Sequence, residues 1–252
     1  MKPLEIKHRV IGGGEPLICV PVVEQDAQSV IREITYLSQS TADMIEWRVD
    51  AFRDFTDYNA IRSVFEAVAP LLGEKLFLYT FRTAHQGGMA QVKAEQLDDL
   101  HDLAAESGCV DLVDLEFFEE DRPLHKIKRL REMGVSVIAS HHDFEQTPSP
   151  EVMKMLLEKM CAGGADIVKL AVMPQNYKDV LDVTAQFREE NPDTPVITMS
   201  MGSLGGISRI SGETFGSCVT FGAHEKPSAP GQFAMKELRQ MLDTIHASSR
   251  IQ

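Results

Sequence analysis

Lys169 is the residue in this chain best placed to do covalent chemistry. It sits in DIVKLAVMP (166–174), with Val168 and Leu170 beside it and Ile167 and Ala171 two positions away. A lysine in the interior of an apolar strand is uncommon unless it is paired or functional. Desolvation and neighbouring arginines would favour a free amine there, and a free amine is a nucleophile towards a carbonyl carbon. The bland alternative is a lysine salt-bridged to Glu46 or Glu116 inside the core. His142, in SVIASHHD (136–143), aligns with Ile138 and Ser140 on one strand face, and His141 points the other way. A histidine can take and return a proton near neutrality. The pair fits imine chemistry. The amine condenses with a ketone, the iminium acidifies a neighbouring C–H, and the imidazole removes that proton. An aldolase and a dehydratase share these parts, and the residues alone do not separate them.

Other strands carry charge where a buried strand should read as a continuous apolar run. In DMIEWRVD (43–50), Ile45, Trp47 and Val49 share one face, and Glu46, Arg48 and Asp50 share the other. Arg82 ends KLFLYTFR on the face of Thr80, and Asp114 and Glu116 lie together in DLVDLEFF. Lone charges in a core are costly, so these must pair with one another or with a ligand. A structural cluster of ion pairs would account for any one of them. Charges of both signs on several strands, mostly towards their C-terminal ends, look like a site.

The elements that must position these residues are short β-rich runs alternating with longer amphipathic segments. Strands are expected at 17–23, 43–50, 75–82, 112–118, 136–143, 166–173, 195–202 and 216–222. Helical patterns include 27–40, 58–72, 91–107, 150–162, 176–190 and 234–247. Such alternation implies parallel βαβ units with right-handed crossovers. An open doubly wound sheet is one closure. Even spacing, eight strands and no Gly-rich turn after the first strand favour a (β/α)8 TIM barrel, whose active sites lie at the C-terminal ends of its strands. Residues 1–14 are expected to form a short hairpin closing the bottom. No linker or second composition regime interrupts residues 1–252, which read as one domain.

Composition limits the partners. Lys+Arg number 25 against Asp+Glu 38, a formal charge of −13, which argues against nucleic acid or an anionic membrane. No apolar run reaches the ~18 residues of a membrane span, and the start lacks the apolar stretch of a signal peptide, so a cytoplasmic protein is expected. Cys19, Cys109, Cys161 and Cys218 form no CxxC pair and read as reduced packing residues, with no metal site.

EWRVD (46–50), FRTAHQGG (81–88), DLVDLE (111–116), VIASHHDF (137–144), VKLAVMP (168–174), ISRISGETFGS (207–217) and SAPGQ (228–232) resemble, in order, the blocks of the type I 3-dehydroquinate dehydratases. The resemblance implies that Lys169 forms a Schiff base with the C3 ketone of 3-dehydroquinate. It also implies that His142 is the general acid–base, giving 3-dehydroshikimate and water with no metal or organic cofactor. Glu46, Arg48, Arg82, Arg209, Ser228 and Gln232 match its substrate-binding positions, Arg209 for the carboxylate because a guanidinium offers a bidentate fork. Residues 225–232 would be a lid, and a homodimer is usual.

Two positions depart from that pattern. Gln86 stands where a glutamate usually orients the catalytic histidine, and Pro21 where a serine is common. Two other functions remain to be weighed: another imine-forming barrel such as an aldolase, and a non-catalytic paralogue that only binds quinate-like ligands. Against the first, GAHEKPSAPGQ after the last strand is not a Gly-rich phosphate loop. Against the second, Lys169, His142 and every arginine are retained.

Overall fold

A computed structural model describes residues 2–189 and 193–249. Its central sheet has eight parallel strands in the order β10-β3-β4-β5-β6-β7-β8-β9. These are β3 (Leu17–Val22), β4 (Met44–Arg48), β5 (Leu76–Thr80), β6 (Leu112–Glu116), β7 (Ser136–Asp143), β8 (Ile167–Val172), β9 (Val196–Ser200) and β10 (Val219–Phe221). The order matches sequence order except at β10, which pairs with β3, so the sheet curls into a barrel. The seam between β9 and β10 is closed by one bridge, Val196 to Ser217, and by Ser217 Oγ, which accepts from Thr198 N at 3.1 Å. The eight-stranded barrel expected from the alternation is the fold observed.

Between the strands run α1 (Ala27–Ser38), α2 (Tyr58–Val68), α3 (Ala94–Glu106), α4 (Pro123–Glu132), α5 (Pro150–Ala162) and α6 (Tyr177–Glu189); the short α7 (Gly212–Phe215) precedes β10 and α8 (Met235–Ser249) follows it. The starts of α1 and α2 are set by aspartates: Asp26 accepts from Ser29 N, and Asp57 from Asn59 N and Ala60 N. Proline at the first turn starts α4 and α5, where its missing N–H costs nothing. The expected helix 176–190 is observed as α6, and residue 190 lies outside the described residues. Helix α4, PLHKIKRLRE, escaped the sequence pattern because its apolar stripe is only Ile127 and Leu130 among basic residues. Among the described residues no helix is long and apolar enough to cross a membrane.

The strand alternation produces two apolar layers. Outward side chains such as Ile45, Trp47, Phe77, Tyr79, Val113, Val137 and Val168 pack against the helices. Inward chains of the lower barrel, including Met44, Leu76, Leu112, Ile138 and Ile167, form a separate cluster. That cluster is closed from below by the expected hairpin, β1 (Leu4–Ile6) and β2 (Arg9–Ile11), whose Ile11 is fully buried against it. Arg9 Nη1 to Asp43 (3.0 Å) and Lys7 Nζ to Asp111 (2.8 Å) tie the hairpin down. Asp43, Asp111 and Asp166 share a further task at the strand entrances. Each carboxylate accepts a backbone N–H of the preceding barrel strand, from Ile18, Phe77 and Val137 respectively. The bottom of the barrel is therefore braced independently of its upper end.

Ile11→Ala should remove the plug's core contact and lower stability by about 2–5 kcal/mol, the usual range for such truncations. Urea denaturation followed by circular dichroism checks this, and a midpoint unchanged from the parent protein would show that the hairpin does not seal the barrel.

Candidate active site

The upper half of the barrel interior is charged, and each group arrives there by strand periodicity. Glu46 and Arg48 come from β4, Thr80 from β5, Arg82 from just beyond it, Asp114 and Glu116 from β6, Ser140 and His142 from β7, and Lys169 from β8. All but His142, which is half-buried, lie under a tenth exposed. Arg82 is the cross-brace. Its guanidinium meets Asp114 at 2.8 Å and Glu116 at 2.9 Å, and donates to Ser140 Oγ at 3.1 Å. Burial alone would lower its basicity, but those carboxylates outweigh burial and raise it. Glu116 also accepts from Thr83 N (2.9 Å) and Thr83 Oγ1 (2.6 Å), and Glu46 accepts from Thr80 Oγ1 at 2.8 Å.

Asp50 corrects the sequence reading. Strand β4 ends at Arg48 and residues Val49–Ala51 form a 3-10 turn, so Asp50 is not a strand residue of the inward face. The turn lets its carboxylate grip Arg48 in a fork, at 2.8 Å from both Nε and Nη2. It also accepts from the backbone N–H of Arg82 and Met89. Burial pushes this carboxyl up, and Arg48 with the two N–H groups outweighs it, so the carboxyl is held below the usual range.

Lys169 projects into the cavity with its Nζ 3.4 Å from Asp114 Oδ2 and 4.4 Å from the centre of the Phe221 ring. Its acidic neighbour is thus neither Glu46 nor Glu116, the partners the sequence suggested. Those two are occupied by Thr80, Thr83 and Arg82. Asp114 stays ionised: burial raises its carboxyl, but Arg82 first and Lys169 second bring it below the usual range. Its Oδ1 accepts Ser140 Oγ at 2.6 Å, which turns Oδ2 towards the lysine. A contact of 3.4 Å is long for a charge-assisted bond, so the amine is held loosely.

His142 is fastened by the 83–89 loop. Gln86 Oε1 accepts from His142 N at 2.9 Å and lies 3.0 Å from Nδ1. Residue 86 therefore approaches His142 as the resemblance implies. The imidazole is held well below its ordinary pKa, by burial first and then by the charges of Arg82, Lys169 and Arg48. The ring stacks on Phe144, centroids 6.4 Å apart. Gly87 makes this possible: its φ is +81°, and a Cβ there would lie 2.4 Å from the Phe144 ring. His85 is exposed, while His101, on α3 outside the barrel, is buried and pushed down to about 4 by burial.

Glu46, Arg48, Arg82, Gln86, His142, Lys169, Ser228 and Gln232 line one cavity. Arg209 does not line it directly. It is 1 % exposed, and its Nη1 contacts Met199 Sδ and the carbonyl of Phe221, both residues of the cavity wall. Burial alone pushes its guanidinium down to about 10, because no carboxylate among the described residues answers it. Its Nη2 donates to Pro230 O (3.0 Å), and Gln232 Nε2 donates to Ser228 Oγ (3.0 Å), so residues 228–232 form a turn over the cavity mouth. Phe144, Phe221, Met199 and Met201 were not selected from sequence, and Asp114 was noted there as an inward charge without a role of its own. Asp114 had a signal, its inward position beside Glu116; the apolar wall residues had none. Pro21 is buried in β3, opposite Glu46 in register.

A barrel with one loosely held buried amine, a depressed histidine beside it and arginines around the cavity defines the class of lysine-bearing (β/α)8 barrels built for carbonyl substrates. Comparison with known proteins narrows this further. The model of the family described as type I 3-dehydroquinase matches residues 18–249, and the chain belongs to that family. It is 40% identical over 250 residues to a 3-dehydroquinate dehydratase of Syntrophotalea carbinolica, covering 98% of this chain and 99% of the relative. It is 40% identical over 249 residues to one of Listeria innocua, with the same coverage of each. The structure of the Geobacillus kaustophilus 3-dehydroquinate dehydratase superposes with a TM-score of 0.95 at 34% identity, covering 99% of this chain and 98% of that one. That of the Clostridium difficile type I enzyme, determined with covalently modified comenic acid, gives 0.93 at 37%, covering 98% of each.

The depressed His142 has a consequence for stability. Its folded pKa lies below the unfolded value of about 6.5, so its contribution is full above that pH and is lost as pH falls towards the folded value. The expected outcome is that His142→Asn loses less stability than the parent between pH 7 and pH 5, read from urea midpoints. Parallel loss in both proteins would place the acid sensitivity elsewhere.

Proposed function

We propose that this chain dehydrates 3-dehydroquinate to 3-dehydroshikimate and water, a step of the shikimate pathway, with Lys169 as the imine-forming lysine and His142 as the general acid–base. The observation that carries the assignment is the Lys169 amine in a cavity at the upper end of the barrel, 3.4 Å from an ionised aspartate and sharing the wall with His142. The Lys169 amine, having passed a proton to His142, adds to the C3 carbonyl, and with that proton returned to the former carbonyl oxygen water leaves, giving an iminium. The iminium withdraws electrons from C2, and His142 Nε2 takes a C2 proton. The freed electron pair forms the C1–C2 double bond and expels the C1 hydroxyl, which leaves as water with the proton carried by His142. A second water hydrolyses the imine, releases the enone and restores the amine. The net change is the loss of one water. Lysine serves as the electron sink, so these steps call for no metal or organic cofactor.

Several features support this reading. The covalently modified ligand in the Clostridium difficile relative is consistent with a covalent step. A histidine held below its usual pKa is unprotonated at neutrality, as a base must be. Asp114 can balance the cationic iminium that replaces the amine. Arg48 and Arg82, with Glu46, are assigned to the substrate hydroxyls, and Ser228 and Gln232 to the lid that excludes water. Arg209, with no carboxylate partner among the described residues, is assigned to the substrate carboxylate. Membership of the family sets aside the aldolase reading, and the retention of Lys169, His142 and the arginines around one cavity speaks against a paralogue that only binds ligand. A cytoplasmic homodimer belongs to the same proposal, on the strength of the family resemblance, and sedimentation would test it.

Lys169→Ala should abolish both turnover and the adduct trapped by borohydride in the presence of 3-dehydroquinate, with the circular dichroism spectrum retained. Mass spectrometry of the parent should place that adduct on Lys169. An adduct on Lys75, whose Nζ instead caps the carbonyls of Ser40 and Ala42 at the barrel bottom, would refute the site.

Arg209→Lys should raise KM by about tenfold or more while stability changes little, since an ammonium cannot make two parallel contacts to a carboxylate. An unchanged KM would move the carboxylate to Arg48 or Arg82.

A further inference from the structure

The Gln86 amide has a definite orientation. Its Oε1 faces the backbone N–H of His142 at 2.9 Å, and a backbone N–H only donates, so oxygen and nitrogen of the amide cannot be exchanged. The same oxygen lies 3.0 Å from His142 Nδ1. An amide oxygen only accepts, so Nδ1 carries the ring proton and Nε2 keeps its lone pair. The amide oxygen is thereby used twice, and the –NH2 is left over. Gln86 is 2 % exposed, and its Nε2 has no hydrogen-bond partner among the described residues. Buried polar groups are nearly always satisfied, and each exception calls for a partner. Gln86 ends at the wall of the cavity that also holds His142 and Lys169.

We propose that the Gln86 side-chain amide is a substrate-binding donor, its Nε2–H bonding an oxygen of 3-dehydroquinate on the carbon that loses water. The proposal rests on the reading of Lys169 and His142 above, because His142 defines that edge of the cavity. The acceptor is the hydroxyl oxygen on the carbon beside the one deprotonated. A donor here holds that oxygen in the bound substrate, a ground-state contact whose loss weakens binding. The glutamate usual at this position can still accept from Nδ1 but offers no donor, and it sets a negative charge near that oxygen. Glutamine and glutamate therefore divide the work differently. Glutamate stabilises the imidazolium and leaves the substrate oxygen uncontacted; glutamine holds that oxygen and leaves the imidazolium unassisted.

This division predicts opposite movements of two constants. Gln86→Glu should raise kcat and move the acidic limb of the pH–rate profile to higher pH, because the added carboxylate raises the histidine's pKa. The same change should raise KM. The direct test removes turnover altogether. In the Lys169→Ala protein, which forms no imine, calorimetry with 3-dehydroquinate should show binding weakened about tenfold by Gln86→Glu and likewise by Gln86→Met. Equal dissociation constants for glutamine, glutamate and methionine at residue 86 would overturn the proposal and reduce Gln86 to a positioning residue for His142. So would a faster Gln86→Glu enzyme with unchanged KM. A failure of the underlying reading looks different: borohydride then traps nothing on the unaltered protein, and both assignments fall together.

Discussion

Charge balance inside the barrel is the constraint on which the site depends. A lysine amine near the barrel axis is tolerable only if something answers its charge, and Asp114 does so. That aspartate is itself tolerable only because Arg82 and Ser140 hold its other oxygen. Arg82 in turn brings in Glu116, and Glu116 draws on Thr83, so the network runs from β8 across to the loop after β5. Arg48 and Asp50 form a second closed pair beside it. Positive and negative groups are thus matched almost one for one, and the least tightly held member is the one assigned to react. In the proposed reaction the loose contact at Lys169 would let its amine leave Asp114 without unmaking the rest.

Stability and chemistry are separated along the barrel axis. The lower interior is apolar, plugged by Ile11 and braced by aspartates that take strand N–H groups. The outer layer between strands and helices is dominated by apolar side chains. These two layers supply the burial that offsets the unfavourable ordering of so many charged side chains at the upper end. The polar cluster makes little net contribution of its own, since a buried ion pair roughly breaks even with its desolvation. Its role is to hold geometry.

The upper end is organised around two loops rather than around strands alone. One, residues 83–89, places Gln86 against His142 and relies on Gly87 to let Phe144 pass. The other, residues 228–232, meets Arg209 through Pro230 O. A buried guanidinium whose acceptors are two carbonyls and a thioether sulfur is under-answered, and an anion would gain there. Burial depresses both Arg209 and His142, so the two shifts have one physical origin.

The sequence by itself determined the parts set by periodicity and local chemistry. Alternation of two with three-to-four residues specified the strands, the helices and the barrel, and period-2 placement put Glu46, Arg48, Asp114, Glu116, His142 and Lys169 on inward faces. Motif resemblance supplied the family. Helix α4 stayed hidden because its apolar stripe is too sparse, and Asp50 was misplaced because the strand gives way at Val49 to a 3-10 turn, which no alternation encodes. Only the tertiary structure decided who partners whom. Period 2 says that Lys169 points inward, but the stagger between strands sets it beside Asp114 rather than Glu46 or Glu116. It likewise turned the Gln86 amide by one backbone N–H and left its nitrogen without an acceptor. Such pairings depend on distances of a few ångströms between residues 26 to 56 positions apart, and packing settles those distances.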